Sequence, residues 1–297
     1  MEVPKNCTLC PRNCNADRTV STGFCGAGEN IKIARAALHH WEEPCISGAM
    51  GSGTVFFSGC NLKCVYCQNF EISQQHFGKE ISVKRLAEIF LELEVLGAHN
   101  INLVTPTPYI PQICDAIDLV RGEIKIPFVY NSSGYENLET LRLLKDYIDI
   151  YLVDIKYKNP VFSKKYSLAE DYFKKASAAL CEMLSQTGKP HFSENGIMLS
   201  GTIVRHLVLP SLRQDSIEIF SYLADTFGTD KFLLSIMRQY TPNGNLSEYP
   251  EINRPLTTFE YESVTEFALQ KGFENALVQG KQSADKKYTP PFDLSGV

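Results

Sequence analysis

Long hydrophobic runs and an excess of basic residues are both missing from this chain of 297 residues. No apolar run approaches the roughly 18–20 residues that a helix needs to cross a bilayer. Lysine and arginine number 29 against 34 aspartates and glutamates, so the formal net charge is -5. A chain without an overall positive field does not attract nucleic acid by charge alone. We therefore expect neither a membrane nor a nucleic acid as a partner.

Targeting signals and repeats are missing as well. The first residues, Met1 to Cys7, do not have the basic-then-apolar order of a signal peptide, so we expect a cytoplasmic protein. No internal repeat or low-complexity tract is visible, and the length suits one large α/β domain or two smaller ones. In a reducing compartment the 10 cysteines are not expected to form a framework of disulfides.

The cysteines are unevenly distributed along the chain. Most of them fall into two tight groups, which favours metal or cluster binding. The first group is Cys7, Cys10, Cys14 and Cys25, and the second group is Cys60, Cys64 and Cys67. Cys114 and Cys181 stand in helix-like stretches, where a buried cysteine behaves as a small apolar residue. Cys45 could lie near either group.

The second group has the spacing Cys60-x3-Cys64-x2-Cys67 and follows a strand-like stretch. Thiolates suit both zinc and iron–sulfur clusters. Zinc sites normally use paired C-x2-C knuckles and four protein ligands, so zinc would need a distant fourth residue here. Three neighbouring thiolates instead predict a [4Fe–4S] cluster with one iron left free to bind another molecule. Such a cluster can be a catalyst as well as an electron carrier.

The first group lies in residues 1–50, which we predict to be a small cysteine-rich segment that binds a metal or a cluster. Residues 1–30 show little apolar periodicity, so their order is expected to depend on bound metal. Four cysteines could hold a second [4Fe–4S] cluster or a zinc ion, and a group of thiols without metal is the third alternative. Residues 51–297 are predicted to form the core domain.

Strand-like and helix-like stretches alternate from residue 54 onward. We predict strands over residues 54–58, 101–105, 128–131, 148–155, 201–209 and 232–239. Helices are predicted from the capping residue Ser82 to Gly97, and over residues 110–120, 138–147, 168–184, 215–227 and 259–270. Strands that alternate with helices indicate a parallel sheet of the α/β class, and six strands are too few for an eight-stranded barrel. We therefore predict a partly open barrel with its chemistry at the carboxyl ends of the strands.

The second cysteine group, with Tyr66 before its last cysteine, resembles the C-x3-C-x-aromatic-C signature of the radical S-adenosylmethionine (SAM) superfamily. The likeness is closer to the pyruvate formate-lyase activating enzymes, and closest to uncharacterised iron–sulfur proteins named after them. Further runs that carry it are Gly51 to Thr54, Asn100 to Thr107, Asn131 to Tyr135, Asp154 to Tyr157 and Arg205 to Pro210. The resemblance implies a partial (β/α)6 radical SAM barrel whose [4Fe–4S] cluster binds SAM at its free iron.

The resemblance also implies an activity. The enzyme would cleave SAM reductively to a 5′-deoxyadenosyl radical, which abstracts hydrogen from a substrate. The implied partner is a glycyl-radical enzyme or a peptide, with flavodoxin or ferredoxin as the reducing electron donor. A small metabolite is a second class of substrate. A non-catalytic iron–sulfur or zinc protein for electron transfer is the alternative from another class.

By position, the resemblance places Tyr66 against the adenine of SAM. The second strand of the superfamily ends in Gly-Gly-Glu, which holds the methionine amino group, whereas this chain has Thr105-Pro106-Thr107. The hydroxyls or carbonyls of Thr105 and Thr107 are the candidates to replace that motif. The other candidates are Asn131 and Ser133 for the ribose or methionyl group, and Asp154, Lys156 and Arg205 for the methionyl carboxylate.

These charged candidates also have a structural interpretation. Asp154 and Lys156 could be an ion pair at a strand end, and Arg205 could be an interior charge paired with an acid. Because side chains alternate along a strand, Arg205 and His206 face opposite sides. We expect Arg205 to face the barrel interior and His206 to face the helices.

Overall fold

The computed structural model describes residues 2–284 and 288–297, which form ten strands and nine α-helices. The strands are β1 (Ile31–His39), β2 (Ser52–Phe57), β3 (Lys79–Ile81), β4 (Ile101–Val104), β5 (Phe128–Ser132), β6 (Ile150–Asp154), β7 (His191–Phe192), β8 (Met198–Leu207), β9 (Leu233–Met237) and β10 (Leu277–Val278). The helices are α1 (Pro44–Ser47), α2 (Phe70–Ser73), α3 (Val83–Val95), α4 (Ile110–Val120), α5 (Leu138–Leu143), α6 (Pro160–Ser167), α7 (Tyr172–Thr187), α8 (Arg213–Phe227) and α9 (Thr258–Gln270). None of these described helices is both long and apolar enough to span a bilayer.

Six parallel strands form the centre of the sheet, in the order β9-β8-β6-β5-β4-β2. They coincide with the six predicted strands within a few residues, so the predicted α/β class is confirmed. The short β10 extends one edge in parallel, and β1 followed by β3 extends the other edge antiparallel. The path through the described strands ends at β10 and β3 without joining them, so the barrel is partial.

The two faces of the central strands have different environments, as β8 illustrates. His206 faces the helices, where its ring nitrogens lie 2.6 Å from the Ile155 carbonyl oxygen and 2.8 Å from Ser216 Oγ. Arg205 faces the barrel interior, where it meets side chains of β5 and β6. The predicted alternation of these two residues is therefore confirmed.

Two of the predicted helices need correction. The helix expected over residues 168–184 corresponds to α7, which begins at Tyr172 and extends to Thr187. The preceding α6 was not predicted; it ends just before Leu168, which adopts a left-handed φ of 53°. The helix expected over residues 138–147 ends at Leu143. The start of α3 is confirmed, since Ser82 Oγ accepts a backbone N–H of the first turn at 3.1 Å.

Sequence analysis did not predict β1 and α1. β1 pairs antiparallel with β2, and the chain then enters the barrel. There Ile46 of α1 packs in a buried cluster with Val129, Ile150, Leu152, Met198 and Ile203. The predicted domain boundary at residue 50 stays a prediction, but the sheet and this interior cluster both cross it.

Candidate active site

The second cysteine group lies in the loop after β2, at the carboxyl end of that strand. Near the start of the loop, Gly59 has a φ of +91°. A Cβ on Gly59 would lie 2.6 Å from the carbonyl oxygen of Cys25, so only glycine fits this close approach. The backbone N–H of Cys60 donates to the same carbonyl at 3.2 Å. The loop is therefore held directly against the first cysteine group.

Each sulfur of the second group has a hydrogen-bonding neighbour. The three contacts are the Leu62 N–H to Cys60 Sγ at 3.4 Å, Ser167 Oγ to Cys64 Sγ at 3.0 Å, and Ser73 Oγ to Cys67 Sγ at 3.3 Å. Hydrogen bonds to the ligating sulfurs are one of the ways in which a protein adjusts the potential of an iron–sulfur cluster. The surroundings of the three thiols therefore suit cluster ligands.

Cys64 of this group is buried, and Cys60 and Cys67 are partly buried. Burial raises the pKa of Cys64 to about 11, although Lys156 opposes the shift. Burial also raises the pKa of Cys60, and the neighbouring Cys64 and Cys67 raise it further. Cys60 and Cys64 therefore need a bound cation to become thiolates together, because metal binding displaces their protons.

The donor set fits an iron–sulfur cluster. In the described ranges, 2–284 and 288–297, no three Cys, His, Asp or Glu side chains lie close enough together to hold a single metal ion. Each thiolate of a [4Fe–4S] cluster binds its own iron, so a cluster does not require that spacing. Cys60, Cys64 and Cys67 are thus the residues that would hold the cluster.

A cavity of about 230 Å³, here called the cofactor cavity, opens beside this loop at the carboxyl ends of the central strands. The predicted site residues that line it are Cys64, Tyr66, Cys67, Asn131, Asp154, Lys156 and Arg205. Its apolar walls include Phe56, Val104, Leu207, Met237 and Tyr240. Parallel strands bring these residues together because their carboxyl ends meet at one edge of the sheet.

Asp154 holds two cations at the wall of the cofactor cavity. Its Oδ2 lies 2.6 Å from Lys156 Nζ, and its Oδ1 lies 2.9 Å from Arg205 Nε. Burial raises the pKa of Asp154, but Arg205 and Lys156 outweigh burial and lower the pKa below its ordinary value. The ion pair considered as the alternative is therefore present, while the contact of these residues with SAM stays a prediction.

Glu42 is a residue of the cofactor cavity that sequence analysis missed. It reaches the cavity from the segment between β1 and α1, and its Oε2 lies 3.1 Å from Arg205 Nη1. Its Oε1 accepts from the side-chain amides of Asn102 at 3.2 Å and Asn131 at 3.4 Å. Burial raises the pKa of Glu42, and Arg205 opposes the rise. Two adjacent glutamates were the sequence signal, and acidic pairs are more often exposed than buried.

Tyr66 connects the cofactor cavity to the cysteines through hydroxyl groups. Its hydroxyl is hydrogen-bonded to that of Tyr157, which lies 2.9 Å from Ser167 Oγ, the neighbour of Cys64. The Tyr66 ring meets Tyr240 edge-on with centroids 5.8 Å apart. Burial raises the pKa of Tyr66 well above its ordinary value, so the hydroxyl is neutral. Its contact with adenine stays a prediction.

Three predicted cofactor-binding residues do not line this cavity. Ser133 Oγ donates to Asn61 Oδ1 at 3.4 Å. Thr107 Oγ1 donates to Glu136 Oε1 at 2.8 Å, and Thr107 lines a small cavity at the first cysteine group instead. Thr105 has a left-handed φ of 60° just after β4. The chain turns sharply at this strand end, and the structure therefore does not bring the Thr107 hydroxyl to the cofactor cavity.

The first cysteine group is assembled next to the second one. A Cβ on Gly23 would lie 3.3 Å from Cys14 Sγ and 3.5 Å from Cys25 Sγ. Burial raises the pKa of Cys14, but hydrogen bonds from the backbone and from Cys7 outweigh it and lower the pKa. Burial raises the pKa of Cys10 to about 12. All four cysteines line one small cavity, so the fold gathers them into a single site.

Two arginines tie the first group to the core. Arg12 donates from Nε to the Asn61 carbonyl at 2.8 Å and from Nη2 to the Ser167 carbonyl at 3.2 Å. Arg18 is only 1% exposed; its Nη2 donates to the Gly28 carbonyl at 2.7 Å, and its Nη1 donates to the Pro108 carbonyl, which precedes α4. Because Ser167 also contacts a sulfur of the second group, Arg12 links the surroundings of both groups.

The family of the chain follows from comparison with known proteins. The model of the Radical SAM superfamily matches residues 54–202. The uncharacterized protein MJ0674 of Methanocaldococcus jannaschii is 32% identical over 276 residues, which cover 89% of this chain and 74% of that protein. The uncharacterized protein MJ0808 of the same organism is 24% identical over 292 residues, which cover 92% of this chain and 80% of that protein. This chain belongs to the radical SAM superfamily.

Solved structures share the fold at low sequence identity. The maturase HydG of Carboxydothermus hydrogenoformans has a TM-score of 0.52 at 15% identity, over 80% of this chain and 56% of its own. Streptococcus suis SuiB bound to its precursor peptide has a TM-score of 0.51 at 11% identity, and the match covers 74% of this chain and 46% of SuiB. Methylornithine synthase (PylB) has a TM-score of 0.50 at 13% identity, and the match covers 74% of this chain and 60% of PylB. The chain spans about half the length of these structures.

Membership in this superfamily of enzymes implies a [4Fe–4S] cluster and SAM as cofactors. The cysteine group beside the cofactor cavity is the place where this chain would hold them.

Proposed function

We propose that this protein cleaves SAM reductively and uses the 5′-deoxyadenosyl radical to abstract hydrogen from a substrate. The observation that carries the proposal is one cavity that joins Cys64 and Cys67 to the charged side chains of Asp154, Lys156 and Arg205. When bound, the cluster supplies the electron that breaks the sulfonium C–S bond.

The chain's own side chains would hold the methionyl end of SAM, which carries an ammonium and a carboxylate. Arg205 and Lys156 present their positive charges to the carboxylate. Glu42 presents a carboxylate to the ammonium and takes the place of the absent Gly-Gly-Glu motif. The apolar walls of the cavity exclude water, which protects a reactive radical from side reactions.

The substrate proposed first is a glycyl-radical enzyme or another peptide, and a small metabolite is the second candidate. We also propose a cytoplasmic location and a donor such as flavodoxin or ferredoxin. An exposed rim at the cavity supports a macromolecular partner: Trp41 is 59% exposed and meets Tyr288 edge-on, with centroids 4.7 Å apart. Cleavage with and without a deuterated candidate partner, followed by mass spectrometry of 5′-deoxyadenosine, tests this part.

The first cysteine group is proposed to hold a second [4Fe–4S] cluster. Zinc is the alternative, and it would require the sulfurs to move closer together, because no three of the described ligand side chains stand close enough for one ion. The observation that supports a cluster here is that one small cavity beside the second group is lined by Cys7, Cys10, Cys14 and Cys25. A variant with alanine at all three positions of the second group isolates this site. About four irons per chain in that variant would identify a cluster, and about one zinc would identify a zinc site. A variant that contains no iron and no zinc would refute metal binding at the first group.

The main proposal is tested on anaerobically reconstituted protein. After reduction with dithionite and addition of SAM, we expect methionine and 5′-deoxyadenosine in equal amounts. Cys64→Ala should abolish their formation, whereas Cys181→Ser, at an exposed cysteine, should leave it unchanged. Fully clustered protein that is reduced but forms no 5′-deoxyadenosine would favour the electron-transfer alternative.

A further inference from the structure

A second cavity, of about 630 Å³, adjoins the cofactor cavity. The side chains that line both cavities include Trp41, Glu42, Arg205, Met237 and Gln239. A molecule in the second cavity would therefore lie against the wall of the space in which the radical is proposed to form. The walls of the second cavity also include the apolar residues Pro44 and Leu277.

Glu43 lines the second cavity and is absent from the lining of the cofactor cavity. It is 8% exposed, and its Oε2 is buried without a hydrogen-bond partner in the described part of the chain. The hydroxyl of Ser235 lies near the carboxyl and opposes the rise in its pKa that burial causes. A buried polar atom without a partner is costly and rare in folded proteins. The Glu43 carboxyl group is therefore available to accept a hydrogen bond from a donor group of a ligand.

Arg205 does not supply that donor, because its side chain is committed to other partners. It donates to Asp154 at 2.9 Å, to Glu42 at 3.1 Å and to Asn131 at 2.7 Å. The buried carboxyl groups of Glu42, Glu43 and Asp154 thus outnumber the cations of Arg205 and Lys156 by one.

The surplus carboxyl group favours an added cation. Burial raises the pKa of Glu43, and Arg205 only opposes the rise. A cation placed beside Glu43 would favour its ionised form and form a charge-assisted hydrogen bond with it.

We propose that the second cavity binds the substrate, and that the substrate carries an alkyl chain ending in a cationic nitrogen that pairs with Glu43. The apolar walls would contact the methylene groups, and the shared wall would place their C–H bonds beside the cofactor cavity. This inference rests on the radical chemistry proposed above and narrows its substrate to an amine or a guanidine, free or on a peptide side chain.

Three probes with the same chain length test the inference: n-hexylammonium, n-hexanol and hexanoate. Their binding to the reconstituted full-length protein is measured by calorimetry with SAM present. We expect hexylammonium to bind about ten-fold more tightly than hexanol, as a hydrogen bond to a charged group requires, and hexanoate to bind most weakly. Glu43→Gln keeps the shape of the side chain and should reduce the preference to about two-fold or less.

The matched control is Glu266→Gln, which removes an exposed carboxylate on α9 and should keep the preference. Equal binding of hexylammonium and hexanol to the wild-type chain would overturn the inference, and this comparison needs no variant. A preference that survives in Glu43→Gln would overturn it as well. 5′-Deoxyadenosine is measured in the same wild-type samples after their reduction with dithionite: its absence refutes the proposed function, whereas equal probe binding refutes only the substrate assignment.

Discussion

The carbonyl oxygen of Cys25 accepts a hydrogen bond from the backbone N–H of Cys60 at 3.2 Å. The last cysteine of the first group is therefore joined to the first cysteine of the second group through the main chain. Gly59 permits this contact because it has no side chain. The two cysteine groups are thus built as one unit, and a change at their junction should affect both.

Gly59→Ala should lower both the stability and the iron content of the protein. The added Cβ would lie 2.6 Å from the Cys25 carbonyl oxygen, at a φ of +91°. A non-glycine residue in such a conformation costs about 1–3 kcal/mol. Thermal unfolding and iron analysis of the reconstituted protein measure the effect. In Gly122→Ala, where the Cβ would meet nothing within 4 Å, neither quantity should change. Full iron content in Gly59→Ala would contradict the coupling.

Asp154→Asn should weaken SAM binding and destabilise the fold. The change leaves Lys156 and Arg205 in a buried site with one counter-charge fewer, and breaking a buried pair costs about 3–5 kcal/mol. We expect the dissociation constant of SAM to rise at least about ten-fold. Calorimetry and urea unfolding measure the two effects. Asp230→Asn, in an exposed pair with Lys189, is the control, and an equal effect of both variants would contradict the prediction.

Glu42→Gln should weaken SAM binding by about ten-fold, because a charge-assisted hydrogen bond to the methionyl ammonium becomes a neutral one. The absorption of the cluster should be preserved, since Glu42 is not among the proposed ligands. The KM for SAM should therefore rise more than kcat falls. Glu266→Gln serves again as the exposed control. An unchanged affinity for SAM would show that another group binds the ammonium.

The stability should fall in acid through His206. Burial lowers the pKa of His206 to about 4, from an ordinary value of 6.5. Between these two values the unfolded chain binds a proton that the folded chain does not, so the free energy of unfolding decreases as the pH falls. The contribution of this residue to the slope is at most about 1.4 kcal/mol per pH unit.

His206→Gln isolates this contribution. The variant should be less stable at neutral pH, because the contacts with Ile155 and Ser216 change, but its stability should depend less steeply on pH. Urea unfolding at a series of pH values gives both quantities. His191→Gln, at an exposed histidine of β7, should keep the wild-type slope. Parallel profiles for His206→Gln and the wild type would refute the assignment.

The features that could be predicted from the sequence have local signals. The central strands are short apolar stretches, and the spacing of Cys60, Cys64 and Cys67 is contained within eight residues of the chain. The strand period was enough to predict that Arg205 and His206 face opposite sides of the sheet. The direction of Thr107 could not be predicted, because the chain turns after β4 and its hydroxyl meets Glu136 instead.

By itself, the sequence determined which chemical groups this protein can offer: seven clustered thiols, an aromatic residue beside three of them, and charged residues at the ends of strands. Only the tertiary structure decided which of these groups meet. Glu42 reaches Arg205 because β1 pairs with β2 and the following segment enters the barrel. A buried charge is stable only beside a compensating partner, and that partner comes from a segment far away in the chain, so no local pattern can reveal it.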